Sequence, residues 1–388
     1  MIHYGAGALQ QLGPVARQTG TKALLITDGI MQKLGHVKAC TDQLLEVGIQ
    51  SSVYAGVNAE PTDLFVNEAV ALYHEAGCDV IISIGGGSCI DTAKAVSILA
   101  TNPGDIGDFM GGARIAASDP VPHIAIPTTA GTGSEATDVT VITENRTHVK
   151  MMIKQPALMP AVAIVDPLLT LSAPKQVTAA TGIDALSHAI EAYLSKRAHP
   201  MTDTLAVAAM QNIIPAIKRA YDDHTDTEAR LRMSLGSLQA GMAFSNASVC
   251  LVHGMSRPIG ALFHVPHGVS NAMLLPAVLE YSQDACKERL AVIGRLFLPE
   301  NGVQGSVDED ARLATEKIRD LAAYVNTPNL RDWGIDQETF YAAMPKMARD
   351  AIASGSPANN PKVPDEETII SLYTTCYDYA FTTTSPKS

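Results

Sequence analysis

The first half of the chain alternates short apolar runs, rich in β-branched residues, with segments whose apolar residues recur at helical spacing. The strand-like runs are KALLIT (22–27), SSVYAGV (51–57), CDVIISI (78–84), HIAIPTT (123–129) and AVAIVD (161–166). Helical patterns such as 64–77 and 91–104 lie between them and end at Gly or Pro. Continuous apolar strands separated by helices predict a parallel sheet that helices cover on both faces.

The strand signals stop near residue 175, and the second half repeats on the helical period. Its helical patterns cover 175–196, 202–223, 228–247 and 310–326. At 388 residues the chain is also longer than one hydrophobic core usually supports. We therefore expect an α/β domain over residues 1–173 and an all-α domain over residues 174–388.

Composition and charge exclude several classes of protein. Apolar residues make up 46% and charged residues 18%, as in ordinary globular chains. The chain has no run of about 18 apolar residues and no signal-peptide pattern at its start, so we expect a cytoplasmic protein with no membrane partner. A net charge of −12 without a basic run argues against nucleic-acid binding. The six cysteines lie far apart and are interpreted as isolated thiols.

A glycine-rich turn follows one of the buried strands in IISIGGGSCIDTAKAV (81–96). Gly85, Gly86 and Gly87 have no Cβ atoms, so the backbone can approach a ligand closely. The N–H groups and the positive dipole end of the next helix favour phosphate oxygens. The segment is neither G-x-G-x-x-G nor a Walker loop, and a tight turn without a ligand is the alternative. Its place at a strand's carboxyl end in an α/β sheet favours binding of a dinucleotide pyrophosphate.

A second polar loop, PTTAGTGSEAT (127–137), follows the next strong strand. We expect the two loops to hold a dinucleotide between them. Asp28 directly follows the KALLIT strand and is a candidate to bind the adenosine ribose and repel a 2′-phosphate, which favours NAD over NADP. In the usual Rossmann fingerprint the acidic residue follows the glycines, whereas here it precedes them.

Asp184 and His188 stand four residues apart in TGIDALSHAIEAY (181–193), so both side chains lie on one face of the predicted helix. His253 and His267 bracket a Gly- and Pro-interrupted segment that we expect to be a turn, and they can supply two more nitrogens. One Asp and three His form a nitrogen and oxygen ligand set suited to Fe²⁺, Zn²⁺, Mn²⁺ or Co²⁺, with a position left for a substrate oxygen.

Two alternatives stand beside this metal hypothesis. His253 and His267 can be independent buried residues that bind no common metal ion. His264, three residues before His267 in a strand-like HVPHG segment, is expected to face elsewhere and to take no part in the site.

With these motifs assembled, the chain resembles the iron-containing (group III) alcohol dehydrogenase family. The segments that carry the resemblance are GGGSCIDTAKA, PTTAGTGSEAT, TGIDALSHAIEAY and VHGMSRPIGALFHVPHGVSNAMLLP, in the family's order and spacing from about residue 4 to 380. The resemblance implies an N-terminal dinucleotide-binding α/β domain and an all-α metal-binding domain, the architecture shared with dehydroquinate synthase, with catalysis between the two.

The resemblance also implies roles for individual residues. The metal ligands would be Asp184, His188, His253 and His267. By the resemblance, the residues that would contact the cofactor are Asp28, Gly86, Gly87, Ser88, Thr128, Thr129, Thr132 and Lys150. We also expect cofactor contacts from Gly85, Asp91 and Ser134, which lie in the same two motifs. The implied cofactors are NAD and one divalent metal, Fe²⁺ by the resemblance or Zn²⁺ in its place.

Arg257 departs from the family pattern, which places a second His at this position in H-x-M-x-H. It follows His253 by four residues and would share its helix face, so we group it with His253 and His267 as a catalytic-site residue. A guanidinium suits a carboxylate, phosphonate or sulfonate, which suggests a substrate with an anionic end. An ion pair with a nearby Asp or Glu is the alternative. Glu60 is a second departure, since relatives often have Asn there.

The predicted function is NAD(P)-linked, metal-dependent interconversion of a small alcohol and its aldehyde or ketone by a homodimer or higher homo-oligomer. A maleylacetate-reductase-like or dehydroquinate-synthase-like enzyme with the same cofactors is the alternative. A nucleotide-sensing or scaffold protein is a further alternative, which four plausible ligands argue against.

Overall fold

A computed structural model of the chain describes residues 1–147, 149–299 and 301–382. The chain divides into two compact units, Met1–Ala173 and Pro174–Ser388. The first is an α/β unit and the second is helical, the fold class that the sequence predicts.

The first unit is built on a six-stranded parallel sheet with the order β1-β8-β5-β4-β2-β3. The strands are β1 (Ile2–Tyr4), β2 (Lys22–Ile26), β3 (Gln50–Tyr54), β4 (Val80–Gly85), β5 (His123–Pro127) and β8 (Val162–Val165). Two more strands, β6 (Val139–Thr143) and β7 (Lys150–Lys154), pair antiparallel in a separate ribbon.

Helices cover both faces of the parallel sheet, and alternate residues of one strand enter opposite cores. The helices are α1 (Leu12–Thr19), α2 (Gly29–Lys33), α3 (His36–Glu46), α4 (Asp63–Ala76) and α5 (Gly87–Leu99). In β2, Leu24 and Ile26 pack with residues of α4 and α5, whereas Leu25 packs on the other face with residues of α1 and α3. The continuous apolar strands of the sequence are thus buried on both sides.

The strand order reverses between β2 and β4, because β3 lies on one side of β2 and β4 lies on the other. In open α/β sheets, ligands bind beyond the carboxyl ends of the strands at such a switch point. Asp28 follows the end of β2, and the glycine turn begins at Gly85, the last residue of β4, so both segments flank this position.

The second unit packs helices against one another. They are α6 (Lys175–Leu194), α7 (Pro200–Asp222), α8 (Thr227–Ala247), α9 (Leu251–Phe263), α10 (His267–Ser282), α11 (Lys287–Arg295), α12 (Val307–Tyr324), α13 (Gln337–Ala353) and α14 (Glu366–Tyr377). Among the residues described, no single helix is long and apolar enough to cross a membrane; α8 and α9 pass that test only as a pair bent by 102°.

Two local expectations are wrong. The segment between His253 and His267 is not a Gly- and Pro-interrupted turn, because α9 runs as helix through Pro258 to Phe263. HVPHG is not strand-like: His264 ends α9 in the left-handed conformation at φ 54°, and α10 begins at His267. The short strand β1 and the β6–β7 ribbon were also absent from the sequence interpretation.

Candidate metal and nucleotide sites

The four predicted ligands converge in the helical unit. Asp184 and His188 lie on α6, His253 lies on α9, and His267 is the first residue of α10. One potential ligand atom from each of them lies within 4.8 Å of those of the others. Two segments about 70 residues apart in the sequence therefore form one cluster of oxygen and nitrogen donors.

The spacing within the cluster suits a divalent cation. The Asp184 Oδ1 atom lies 3.6 Å from His253 Nε2 and 3.8 Å from His267 Nε2. Ligand bonds of about 2.0–2.2 Å in tetrahedral geometry place donor atoms roughly 3.4 Å apart, so small adjustments would close the set on one ion. His264 lies outside this cluster and is exposed at the end of α9.

The carboxylates and imidazoles of the cluster shift one another's pKa values. Burial alone would raise the pKa of Asp184, but the three neighbouring imidazoles hold it well below its usual range. Burial alone would lower the pKa of His253, yet Glu191 and Asp184 raise it to about 9. A cation placed among these groups gains the same stabilisation that the carboxylates give to a proton on His253.

Glu191 contacts the cluster and was missed by the sequence reasoning. Its Oε2 atom accepts a hydrogen bond from His253 Nδ1 at 2.5 Å, and its Oε1 atom accepts from the Val252 N–H at 2.6 Å. Because Nδ1 faces Glu191, Nε2 is the nitrogen of His253 that faces the cluster and could bind a metal, as in carboxylate–histidine pairs around metals. Glu191 follows Asp184 by seven residues on α6, and this same-face spacing was the available signal.

Asn271 is the second residue that was missed. It is fully buried on α10, one turn after His267, and its Nδ2 atom lies 2.7 Å from Asp184 Oδ1 and 3.0 Å from His253 Nε2. It also lies 3.2 Å from His267 Nε2. The amide nitrogen thus lies among three of the atoms that would bind a metal, and its two N–H groups can bond to two of them at once.

Arg257 lies one helical turn after His253 on α9. Its Nη1 atom donates to Ser356 Oγ at 2.9 Å, and among the described residues no carboxylate comes within 4.0 Å ion-pair distance of it. Burial lowers its pKa, and Glu191 opposes that shift. The ion pair considered as an alternative is therefore not formed with the part of the chain that the structure describes.

In the α/β unit, the glycine turn and the second polar loop lie against each other. The Thr128 N–H donates to Gly85 O at 2.9 Å. A Cβ atom on Gly87 would stand 2.7 Å from Thr132 Cγ2, and one on Gly85 would stand 2.5 Å from Cys89 Sγ. A larger residue at Gly87 would have to displace the Thr132 side chain, and Gly85, with φ +151°, has a backbone conformation that favours glycine.

The start of α5 has the features of an anion cradle. Gly86 is its N-cap and makes no side-chain capping bond, so the first N–H groups of α5 have no side-chain acceptor from the cap. Ser88 lies in this first turn. The arrangement fits a pyrophosphate, and Asp28 approaches from β2, its Oδ2 atom 3.7 Å from Cys89 Sγ.

Other predicted cofactor residues have partners within the protein. The Asp28 Oδ1 atom caps α2 by accepting from the N–H groups of Ile30 and Met31. The Ser134 hydroxyl donates to Asp91 Oδ1 at 2.6 Å, so these two side chains bind each other. Lys150 forms an ion pair with Glu60, which joins the two residues that sequence reasoning treated separately.

Comparisons with known proteins agree with this fold and site. Residues 1–167 match the family model for iron-containing alcohol dehydrogenase, and residues 178–377 match that for the Fe-containing alcohol dehydrogenase family, C-terminal. The chain therefore belongs to the iron-containing alcohol dehydrogenase family of oxidoreductases. This supports the alcohol dehydrogenase interpretation over the dehydroquinate-synthase-like one.

Individual relatives cover nearly the whole chain. Long-chain-alcohol dehydrogenase 1 of Geobacillus thermodenitrificans (strain NG80-2) is 39% identical over 355 residues, covering 91% of this chain and 88% of the relative. A crystal structure of 1,3-propanediol oxidoreductase matches with a TM-score of 0.92 and 36% identity, covering 97% of this chain and 98% of its own. Sulfoacetaldehyde reductase from Bifidobacterium kashiwanohense, in complex with NAD⁺, matches with a TM-score of 0.87 and 26% identity, covering 98% and 97%.

Proposed function

We propose that the protein is an NAD- and divalent-metal-dependent dehydrogenase that interconverts a small alcohol and its aldehyde or ketone. The convergence of Asp184, His188, His253 and His267 carries this proposal. Their nitrogen and oxygen donors, without a thiolate, suit Fe²⁺, which the family name favours, or Zn²⁺. We also propose that the protein forms a homodimer or a larger homo-oligomer, as the family resemblance suggests. We propose a cytoplasmic location because the six cysteines are buried free thiols, which are usual in a reducing compartment.

NAD rather than NADP is proposed as the nucleotide. The Asp28 carboxylate stands at the switch point of the sheet, where its charge would repel a 2′-phosphate. The uncapped start of α5 and the glycines before it supply the pyrophosphate cradle. Thr128, Thr129 and Thr132 on the facing loop offer hydroxyl groups beside that cradle.

The chain's own residues prepare the chemistry. When bound, the metal and the nicotinamide would supply a Lewis acid and a hydride acceptor for alcohol oxidation. Asp184, His188, His253 and His267 would hold the metal, and Glu191 keeps the Nε2 atom of His253 directed to it. No side chain is assigned as general base, because the hydroxyl proton can leave through water.

Metal analysis with an NAD-linked screen of short alcohols tests this proposal. We expect one Fe²⁺ or Zn²⁺ per chain and NADH formation with at least one alcohol. His267→Ala should abolish turnover and weaken metal binding, because it removes a ligand, and should leave NAD⁺ affinity within about twofold of wild type. His264→Ala, an exposed histidine three residues earlier, is the matched control and should keep full activity. A metal-free wild-type enzyme that still turns over would contradict the proposal.

We further propose that the substrate carries an anionic end, which Arg257 binds. The supporting observations are its position one turn after His253 and the absence of a carboxylate partner among the described residues. One relative is a sulfoacetaldehyde reductase, whose named substrate bears a sulfonate. A guanidinium can form two parallel hydrogen bonds with such a group.

Arg257→Ala and Ser356→Ala test the anionic-substrate proposal. Arg257→Ala should lower kcat/KM for sulfonate or carboxylate aldehydes by about ten- to a hundredfold, because a charge-assisted hydrogen bond is lost. Neutral aldehydes of equal length serve as the internal control and should change by less than about threefold. Ser356→Ala keeps the guanidinium and should show a smaller loss. Equal losses on charged and neutral aldehydes would refute the proposal.

A further inference from the structure

Lys94 is a buried cation that the proposed chemistry does not use. It lies on α5 with 1% of its surface exposed. Its Nζ atom donates to Ser134 Oγ at 2.8 Å, Thr137 Oγ1 at 2.8 Å and Val139 O at 2.7 Å. All three N–H bonds of the ammonium therefore go to residues 134–139, which are the end of the second polar loop and the start of β6. A buried charge is costly unless it is fully hydrogen-bonded, so this arrangement is specific.

Asp91, one helical turn before Lys94, binds the same segment from the same helix. Its Oδ1 atom accepts from Ser134 Oγ at 2.6 Å and its Oδ2 atom accepts from the Val141 N–H at 2.9 Å. Its backbone carbonyl accepts from Thr140 Oγ1 at 2.9 Å. Polar groups of α5 thus anchor residues 134–141 at several points.

The loop between β5 and this anchor carries the threonines that face the glycine turn. At its start, the Thr128 N–H binds Gly85 O. In its middle, Thr129 Oγ1 lies 3.6 Å from where a Cβ on Gly86 would stand, and Thr132 packs on Gly87. At its end, Ser134 binds both Lys94 and Asp91. The second polar loop is therefore held at its start by a backbone hydrogen bond to Gly85 and at its end by Lys94 and Asp91. These two attachments determine its distance from the glycine turn.

Burial lowers the pKa of Lys94 to about 8, against the opposing charges of Asp91, Glu135 and Asp138. Glu135 is itself buried beside this ammonium, at 4% exposure. The carboxylates that face Lys94 come from α5 and from the anchored segment itself. The charge on Lys94 therefore attracts that segment to α5 in addition to its three hydrogen bonds.

We propose that Lys94 is a positioning residue for the nucleotide site, holding residues 128–137 at the distance from the glycine turn that a dinucleotide requires. This inference rests on the proposed NAD dependence. Lys94 does not contact the cofactor in this scheme; it acts through Ser134 and Thr137.

Lys94→Met tests the inference, since it keeps the length of the side chain and removes the ammonium. In the full-length, metal-loaded enzyme we expect the Kd of NAD⁺ to rise at least roughly tenfold, because three hydrogen bonds from a charged group are lost. KM for NAD⁺ should rise with it, while kcat at saturating NAD⁺ changes by less than about threefold and the metal content stays that of wild type. Thr137→Val should weaken NAD⁺ binding in the same direction and less. The double variant should lose less than the product of both effects, since the two residues share one bond.

Ser97→Ala is the matched control. Ser97 lies on the same helix, is buried, and donates to Val121 O at 2.5 Å without touching the anchored segment. It should lower Tm and leave the Kd of NAD⁺ unchanged. If Lys94→Met does not fold, the Kd of NAD⁺ for Thr137→Val is compared with that for Ser97→Ala, and a higher Kd for Thr137→Val supports the positioning role. Nucleotide affinity in the folded Lys94 or Thr137 variants that matches the Ser97→Ala enzyme overturns the positioning role. Wild type that binds no NAD⁺ overturns the proposed function instead.

Discussion

The Glu191 carboxylate lies outside the proposed ligand set and determines the orientation of one proposed ligand, His253. Without an acceptor at Nδ1, the imidazole of His253 could take either tautomer. The Glu191 oxygens hold both His253 and the first turn of α9 through the Val252 N–H. This ties the orientation of a ligand on α9 to the helix that carries Asp184 and His188.

His123 is a buried side chain whose ionisation should limit stability in acid. It lies on β5 with 3% exposure, and its Nε2 atom is 2.8 Å from Ser83 Oγ on β4. Burial, aided by the charge of Lys94, lowers the pKa of His123 from 6.5 to about 3. Between these values the unfolded chain binds one more proton than the folded chain, so stability is lost as pH falls below 6.5.

We predict that this histidine costs the wild-type protein about 1.4 kcal/mol of unfolding free energy per pH unit below 6.5. His123→Gln keeps a group that can bond Ser83 and cannot titrate, so at pH 5 the variant should have gained about 2 kcal/mol relative to wild type. Chemical denaturation of both proteins from pH 7 to 5 measures the difference. Parallel stability curves over this range would show that His123 does not titrate as described.

Two helices can pack closely only where a small residue lies at their contact. Gly294 on α11 is such a residue, because the backbone of α12 lies directly against it. A Cβ atom on Gly294 would stand 1.9 Å from Asp310 O and 2.9 Å from Asp310 C. Backbone atoms cannot move aside as a flexible side chain does. Arg295 on α11 also donates to Asp310 Oδ2 at 2.6 Å, which locks the two helices in register.

Gly294→Ala should therefore separate α11 from α12 and destabilise the protein by about 1–3 kcal/mol or more, despite the higher helix propensity of alanine. Thermal unfolding measures the loss as a lower Tm. Gly29→Ala is the control: this glycine also lies in a helix, but no atom comes within 4 Å of an added Cβ. An unchanged Tm for Gly294→Ala would mean that the helices can shift at little cost.

The sequence predicts the elements that have a long apolar run or a long helical period. It does not predict elements that are only a few residues long. The continuous apolar strands β2, β4 and β5 and the long helices α6, α7 and α8 follow from periodicity. The three-residue strand β1 has no period to detect, and its place beside β8 depends on contacts distant in sequence. The helix α9 continues through Pro258 because tertiary packing overrides a local breaker.

For the molecule as a whole, the sequence predicts site residues that share a face of one helix. It does not predict contacts that form only when separate helices pack together. Asp184 and His188 are four residues apart on one helix, so their shared face could be predicted. That His253 and His267 reach the same point was proposed from residue type, and the structure brings all four together. Glu191 and Asn271 could not be singled out, because their hydrogen bonds to ligands exist only once α6, α9 and α10 pack.

The four proposed metal ligands differ in how far solvent reaches them. The side chain of His267 is 36% exposed, whereas those of Asp184, His188 and His253 are 3–6% exposed. Water, a chelator or a competing ion thus reaches the cluster from the His267 side while three donors stay sheltered by helices. Whatever covers His267 would therefore influence how readily a bound ion exchanges with the medium.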